Sequence, residues 1–294
     1  MPDPSKPALK LDIGALAAPE PGLHIIATPI GNLGDITLRA LSTLARADIV
    51  YCEDTRHSRK LFEHFGLRPR LAAYHEHSAA ETRDEILAAL SDGKVIALIS
   101  DAGTPLVSDP GFKLVREAIA AGHKVTTEPG ASAVIAALTL SGLPTDRFLF
   151  VGFLAAKAAA RRAEIIALKD VQASLVIYEA PQRIGACLQD LAAGLGPRPA
   201  AVARELTKFH EEVKRGTLDE LARVFAGNDP PKGEIVIVIG PPGNEAHEAP
   251  DLDAALKSAL ARTSLKEAVA QVSAELGMPR RVVYARALSF TKKS

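Results

Sequence analysis

The residues best placed to do chemistry fall in one segment, Ser100-Asp101-Ala102-Gly103-Thr104-Pro105-Leu106-Val107-Ser108-Asp109-Pro110-Gly111. Its carboxylates can hold amino or hydroxyl groups, its prolines restrict φ, and its glycines let the backbone approach a ligand closely. A second loop, Thr28-Pro29-Ile30-Gly31-Asn32-Leu33-Gly34-Asp35-Ile36-Thr37, repeats this mixture upstream. Neither carries the Gly-Lys-Ser/Thr of a Walker A loop or the Gly-x-Gly-x-x-Gly of a dinucleotide site. Either loop alone reads as well as an ordinary strand–helix turn. Together they point to a shared ligand cleft.

Both loops need rigid elements to aim them. The apolar runs Leu23 to Ala27 and Val95 to Ile99 read as buried parallel strands ending at the two loops, where open α/β sheets bind ligands. Phe112 to Ile119 has helical apolar spacing, and Thr37 should cap a helix through Leu38, Leu41 and Leu44. Further strands are expected at Ile49 to Cys52, Leu71 to Tyr74 and Lys124 to Thr127. This alternation predicts βαβ units and a mostly parallel sheet. The second half breaks the rhythm that a closed (β/α)₈ barrel would keep. Its strands are expected at Ser174 to Tyr178, Ala200 to Arg204, Glu212 to Gly216 and Glu234 to Ile239, in an antiparallel or mixed sheet.

The fold class is therefore α/β, with two α/β domains at residues 22–150 and 151–241 joined near Phe150 to Ala156. Pro241-Pro242-Gly243-Asn244-Glu245 reads as a linker. Residues 250–294 read as a small helix-turn-helix-like module, with Ser264 and Glu267 forming a capping box and Gly277 ending the second helix.

Composition narrows the classes. The chain has 294 residues, 47% of them apolar, and a formal net charge of zero, which excludes a disordered protein. No apolar run approaches the about 20 residues that span a bilayer, so no membrane role is expected. Residues 1–21 lack the regions of a signal peptide and read as a disordered tail. Cys52 and Cys187 have no paired spacing and fit two buried thiols in a reducing cytoplasm. Zero net charge carries no signature of a nucleic-acid ligand, although cations cluster at Arg56, His57, Arg59 and Lys60, and at Lys157, Arg161 and Arg162. On charge alone, each cluster reads as a solvated helix face.

The segment from Ala27 to Leu41, which holds the upstream loop, resembles the opening signature of the ribosomal RNA small subunit methyltransferase I family. That family belongs to the tetrapyrrole-methylase-like superfamily. Further matches are Glu53-Asp54-Thr55-Arg56-His57, the Asp101 loop, Pro129-Gly130-Ala131-Ser132 and Ser141 to Phe148. They continue through Tyr178-Glu179-Ala180-Pro181-Gln182-Arg183, Ala203 to Lys208 and Lys232-Gly233-Glu234-Ile235-Val236. The resemblance is collinear from about Leu23 to Gly240. It departs at Ala155-Ala156, where the family usually has Pro-Arg or Pro-x before the lysine, so a basic contact there would fall to Lys157, Arg161 or Arg162.

The resemblance implies two α/β domains with a cofactor folded between them. It implies methyl transfer from S-adenosylmethionine to the ribose 2′-oxygen of a cytidine in the decoding region of small-subunit rRNA, on naked rRNA or the assembled subunit. It also implies a homodimer. Carried over to this chain, the cofactor residues are Pro29, Asp101, Ala102, Gly103, Pro105, Leu106, Ser132, Ala133, Tyr178 and Ala180. Ser132 and Ala133 sit at a helix start, whose free N–H groups bind carboxylates. The RNA contacts would be Arg56, Arg59, Lys60, Lys157, Arg161, Arg162, Arg183, Arg280 and Arg281, with Arg286 beside the last two. Arg183 and Arg204 could instead brace the domain interface, and the helical module could be a mere packing cap.

A ribose hydroxyl is a poor nucleophile, and a positioned base contributes about 10²–10⁴-fold. Glu53 is one candidate, while Asp54 is expected to pair with nearby cations. The Tyr74-His75-Glu76-His77-Ser78 segment has His-x-His spacing but no further ligand set, so no metal is expected. His75 or His77 fits better as a base or RNA contact. Two rivals stand beside this reading. A tetrapyrrole or other small-molecule methylase would share the scaffold, but its Gly-x-Gly-x-Gly-Asp loop is replaced here by Thr28 to Leu33. A non-catalytic ribosome-assembly factor would have kept both ligand loops only for structure.

Overall fold

In the computed structural model of the chain, residues 16–75, 79–227, 230–243, 252–276 and 279–291 are described. Most of the expected tail, His77, Gly277 and the second part of the linker lie outside them. The chain divides into two compact units, Met1–Pro242 and Gly243–Ser294.

The larger unit begins with β1 (Gly22–Ile26), α1 (Leu38–Arg46), β2 (Ile49–Cys52), α2 (Thr55–His64), β3 (Leu71–Ala73) and α3 (Ala79–Ser91). It continues through β4 (Val95–Ile99), α4 (Phe112–Ala120), β5 (Val125–Glu128) and α5 (Ala133–Ser141). These five strands pair in parallel in the order β3-β2-β4-β1-β5. Parallel strands buried on both faces must be apolar throughout, as Leu23, Ile25, Ile26, Ile96, Leu98 and Ile99 are. Leu23, Ile96 and Leu98 pack with Ile86 of α3 and Leu114 of α4, while Ile26 and Ile99 pack with Leu44 of α1 and Phe62 of α2. Because α1 leaves β1 over one face and α4 leaves β4 over the other, the crevice of this sheet opens between β1 and β4.

Thr37 caps α1 as its sequence position requires, accepting from the Ala40 N–H at 3.1 Å. Glu128 at the end of β5 is buried in a polar knot. It accepts from the Thr43 hydroxyl at 3.2 Å, lies 3.3 Å from His24 Nδ1 and pairs with Arg39. That knot holds the turn leading into α5.

The second half carries β6 (Phe148–Phe153), α6 (Ala158–Ala167), β7 (Ser174–Glu179), α7 (Ile184–Leu195), β8 (Pro199–Arg204), β9 (Glu212–Thr217), α8 (Leu218–Val224) and β10 (Ile235–Ile239). Its order is β6-β7-β10-β8-β9, with β6 and β7 parallel and the remaining pairs antiparallel, the mixed sheet that the broken rhythm predicts. The segment Phe150 to Ala156, expected to be a join, is largely β6. Its register shifts between Phe150 and Gly152, where φ is +77°, so the segment holds a bulge inside a strand. One face of this sheet packs on α6, α7 and α8. The other offers Val176, Ala203, Val236 and Val238 to α5 and to Ile30 of the upstream loop, which binds the two halves into one core.

In the smaller unit, α9 (Leu252–Leu260), α10 (Leu265–Leu276) and α11 (Arg280–Thr291) enclose Leu256, Ala268, Val269, Val272, Val283 and Ala287. Ser264 and Glu267 form the expected capping box: the Ser264 N–H donates to the Glu267 carboxylate at 3.1 Å, and the Glu267 N–H to the Ser264 hydroxyl at 3.4 Å.

Candidate active site

The two ligand loops hold each other at the carboxyl edge of the first sheet. The Thr28 N–H donates to the Gly103 carbonyl at 2.9 Å, and the Gly103 N–H returns to the Thr28 carbonyl at 3.0 Å. The Ser100 hydroxyl also donates to the Gly103 carbonyl, at 2.9 Å. Gly103 has φ +82° and a Cβ there would lie 3.1 Å from Ile30, while Gly111 has φ +133° and a Cβ would meet Leu98 at 2.8 Å. Neither position accepts a side chain easily. Between them Leu106 and Ser108 hold positive φ of 71° and 66° without being glycine. Each such residue costs on the order of 1–3 kcal/mol and persists where its surroundings over-determine it, commonly at a ligand site.

A cavity of about 410 Å³ opens beside this edge. Asp101, Ala102, Gly103, Ser132 and Ala133 form its wall on the first half, and Phe153, Tyr178, Ala180, Ile235 and Val236 its wall on the second. Seven of the expected cofactor residues thus converge: Asp101, Ala102, Gly103, Ser132, Ala133, Tyr178 and Ala180. Ser132 is the N-cap of α5 and makes no capping bond with its side chain, and the Val134 N–H donates to the Tyr178 phenol oxygen, which leaves the other first-turn N–H groups to a carboxylate. Tyr178 packs edge-on against Phe150 and Phe153, with centroids 5.0 and 5.5 Å away. Burial, then the charge of Asp109, pushes its phenol up to about 12, so it stays neutral.

The cavity's charges are acidic. Asp109 lines it, and burial together with the Glu53 charge pushes its carboxyl up to about 6, against a hydrogen bond from Ser100 that favours the anion. Asp101 is held by the Asp54 N–H, which donates to its Oδ1 at 3.2 Å. Glu179, only 2% exposed, also lines the cavity; its Oε1 accepts from the Ala180 N–H at 2.8 Å and lies 3.0 Å from Arg183. Cys187 sits beside it, and burial, then the Glu179 charge, pushes that thiol far above its ordinary range. Such a thiol is an inert packing group. Both cysteines are free and buried. The arrangement suits an extended ligand with a carboxylate, a central cation and a flat apolar end.

Several expected roles are corrected. Asp54 acts first as the cap of α2, accepting from the Arg56 N–H at 2.7 Å and the His57 N–H at 3.3 Å, and the side-chain charges of Arg56 and His57 are the smaller contributors that hold its carboxyl below the usual range. Arg161 is 5% exposed and donates to Asp190 at 2.8 Å, so it has no surface to offer RNA. Arg162 stays exposed but is tied to the same carboxylate at 2.8 Å. Arg183 donates to the Leu154 and Ala155 carbonyls at 2.7 and 3.2 Å, and Arg204 to the Lys232 carbonyl at 3.0 Å; both brace the second half. Arg286 forms a two-pronged pair with Asp253 at 2.7 and 2.5 Å. In contrast Arg56, Arg59, Lys60, Lys157, Arg280 and Arg281 are exposed.

Pro105, Leu106, Pro29 and His75 line no part of this cavity: Pro105 is buried, Leu106 packs against the core of the first sheet, Pro29 lines a neighbouring cavity, and His75 is exposed beyond edge strand β3. Asp109 and Glu179 were not singled out from sequence, although both stand inside the quoted motifs. Their signal is position: one closes the main loop, the other ends a strand.

Residues 22–222 match the family described as Tetrapyrrole (Corrin/Porphyrin) Methylases, and residues 246–290 match the RsmI C-terminal HTH domain. A protein of Mesorhizobium japonicum named ribosomal RNA small subunit methyltransferase I is 50% identical, covering 94% of each chain. Its namesake in Erythrobacter litoralis is 51% identical, covering 91% of this chain and 95% of the other. Among solved structures, diphthine synthase aligns with a TM-score of 0.57 at 20% identity, over 74% of this chain and 89% of its own. Uroporphyrin-III C-methyltransferase of Thermus thermophilus, complexed with S-adenosylhomocysteine, aligns with a TM-score of 0.51 at 20% identity, over 74% and 97%. These structural likenesses establish the fold alone. With near-full-length identity of this order, and with both modules matched in sequence, the chain belongs to the ribosomal RNA small subunit methyltransferase I family, a branch of the tetrapyrrole methylases.

Proposed function

We propose that this protein transfers a methyl group from S-adenosylmethionine to the ribose 2′-oxygen of a cytidine in the decoding region of small-subunit rRNA. The observation that carries the reading is the joining of one cavity to one family: the loops that match its relatives line the 410 Å³ cavity. The residues present fit the cofactor. The first turn of α5 suits its carboxylate, Asp101 and Asp109 suit its sulfonium and amino charge, and Tyr178, Phe153 and Ile235 suit its adenine. When bound, the cofactor supplies an electrophilic methyl: its C–S bond breaks, an O–C bond forms, a thioether remains and the hydroxyl proton is released.

The chain's share is orientation and electrostatics. Tyr178 and the Asp101 loop fix the donor, while the carboxylates at this edge, Glu53 among them, can take the proton. In this reading the halves at 22–150 and 151–241 close the cleft, and the exposed cations of α2 and of α11 face the RNA backbone. The enzyme acts in the cytoplasm as a homodimer. No helix among the described residues is long and apolar enough to cross a membrane.

The test is to incubate the protein with methyl-labelled S-adenosylmethionine and small subunits from cells lacking it, with naked rRNA and a tetrapyrrole precursor in parallel. Label on one cytidine ribose of the decoding region is expected. Label confined to the tetrapyrrole, or none despite measured cofactor binding, would overturn the assignment.

A further inference from the structure

A second cavity, of about 250 Å³, adjoins the first. Pro29, Leu33 and Leu61 give it an apolar lining, and α2 adds the Lys60 ammonium with the His57 imidazole beside it. Asp101 lines both cavities, so an occupant of one lies directly against an occupant of the other across a single carboxylate. Asp101 is fixed there, because its Oδ1 accepts from the Asp54 N–H at 3.2 Å and Asp54 itself is locked as the cap of α2. The same short stretch of chain therefore sets both the carboxylate and the helix that carries His57 and Lys60. Lys60 is exposed and forms no ion pair or side-chain hydrogen bond among the described residues. A cation left unpaired at a cavity mouth is suited to a phosphate, and the apolar side to the face of a base.

We propose that this second cavity seats the acceptor nucleotide of the RNA, with Lys60 and His57 toward its phosphate and Asp101 accepting a hydrogen bond from the ribose hydroxyl. This rests on the RNA methyltransferase reading above and adds to it the place where the acceptor sits. It also separates the duties of the main loop: Gly103 and Ala102 face the donor, whereas Asp101 faces donor and acceptor together. The hydroxyl proton then passes to the Asp101 carboxylate as the oxygen gains its methyl, and from there to solvent. Leu33, 37% exposed on the cavity wall, is the position at which a large side chain would fill the space without touching the donor cavity.

The experiment pairs two variants of the full-length chain, Leu33→Trp and Lys60→Ala, each read for S-adenosylmethionine affinity by calorimetry, for binding of unmethylated small subunits without cofactor, and for methyl transfer. Leu33→Trp is expected to bind cofactor like the parent and to lose methyl transfer about 100-fold or more. Lys60→Ala should raise KM for small subunits about tenfold with little change in kcat, weaken their cofactor-free binding alike, and reduce its salt dependence by about one ion. Unchanged binding and transfer in both variants, with a parent active on RNA, would overturn the cavity assignment and leave the function standing. Cofactor affinity falling in step with transfer would overturn it too, by giving this space to the donor. A parent inactive on RNA would instead remove the reading on which it rests. If Leu33→Trp does not fold, Lys60→Ala decides alone, since an exposed unpaired lysine can be removed without disturbing the fold.

Discussion

Arg56, Arg59 and Lys60 on α2, and Lys157, Arg161 and Arg162 at the start of α6, look alike in the sequence: three cations within one or two helical turns. The fold treats them differently. On α2 all three remain exposed, none turns its side chain onto a neighbouring helix's carboxylate among the described residues, and Lys60 lines the second cavity. On α6, Arg161 and Arg162 both turn onto Asp190 of the adjacent α7, at 2.8 Å each, and Arg161 is buried. A cation's availability is decided by the helix opposite, not by its own spacing. The same contrast holds for two carboxylates. Burial would raise Asp190, but hydrogen bonds from Arg162 and Arg161 outweigh it and hold the carboxyl below its usual range. Asp109 has burial and the like charge of Glu53 with only Ser100 in opposition, and rises to about 6. The α6–α7 contact has neutralised its charges internally, whereas the cleft edge keeps its charges available for a ligand.

The largest effect should come from breaking the closed pair. Arg161→Ala leaves Asp190 buried with one partner fewer, so a loss of about 3 kcal/mol is expected in denaturant unfolding, with RNA affinity per folded molecule unchanged. A selective loss of RNA binding at full stability would show that α6 is an RNA face after all. Next in size is Asp109→Asn. A folded carboxyl raised above its unfolded value binds more protons in the native state, so this group costs stability as pH rises from about 4 to about 6. The variant should therefore melt at a higher Tm than the parent at pH 8, with the gap closing by pH 4. A gap that persists at pH 4 would mean that packing, and not charge, was altered. Asp190→Asn should behave with the opposite sign: the stability lost is the part present above the ordinary carboxylate range, and the variant and parent converge in acid. The smallest effect on the fold belongs to Arg56→Ala, which should change unfolding stability by under about 0.5 kcal/mol, weaken small-subunit binding and lower its salt dependence by about one ion. Cofactor affinity should be unaffected.

Local rules carried well wherever a residue acts on its own neighbours. The Thr37 cap, the Ser264–Glu267 capping box and the apolar strands β1 and β4 were all legible, because each depends on contacts within a few residues or on a pattern that only a doubly covered parallel strand needs. β6 was not legible: Gly152 makes a bulge whose meaning depends on pairing with β7. Nor was the main role of Asp54 legible, since an acid two and three residues before Arg56 and His57 looks like a charge partner alone until the helix start shows it bonding their N–H groups as well.

By itself the sequence determined the α/β class, the two ligand loops at strand ends and the family, because strand pattern, turn chemistry and motif order are properties of contiguous residues. Only the tertiary structure decided which members of those motifs share a cavity. It joined Asp101 and Ser132 to Tyr178 across two sheets, set Asp101 between two cavities, raised Asp109 beside Glu53 and removed Arg161 from the surface. Burial, pairing and like-charge proximity arise between residues distant along the chain, and no spacing within one segment records them.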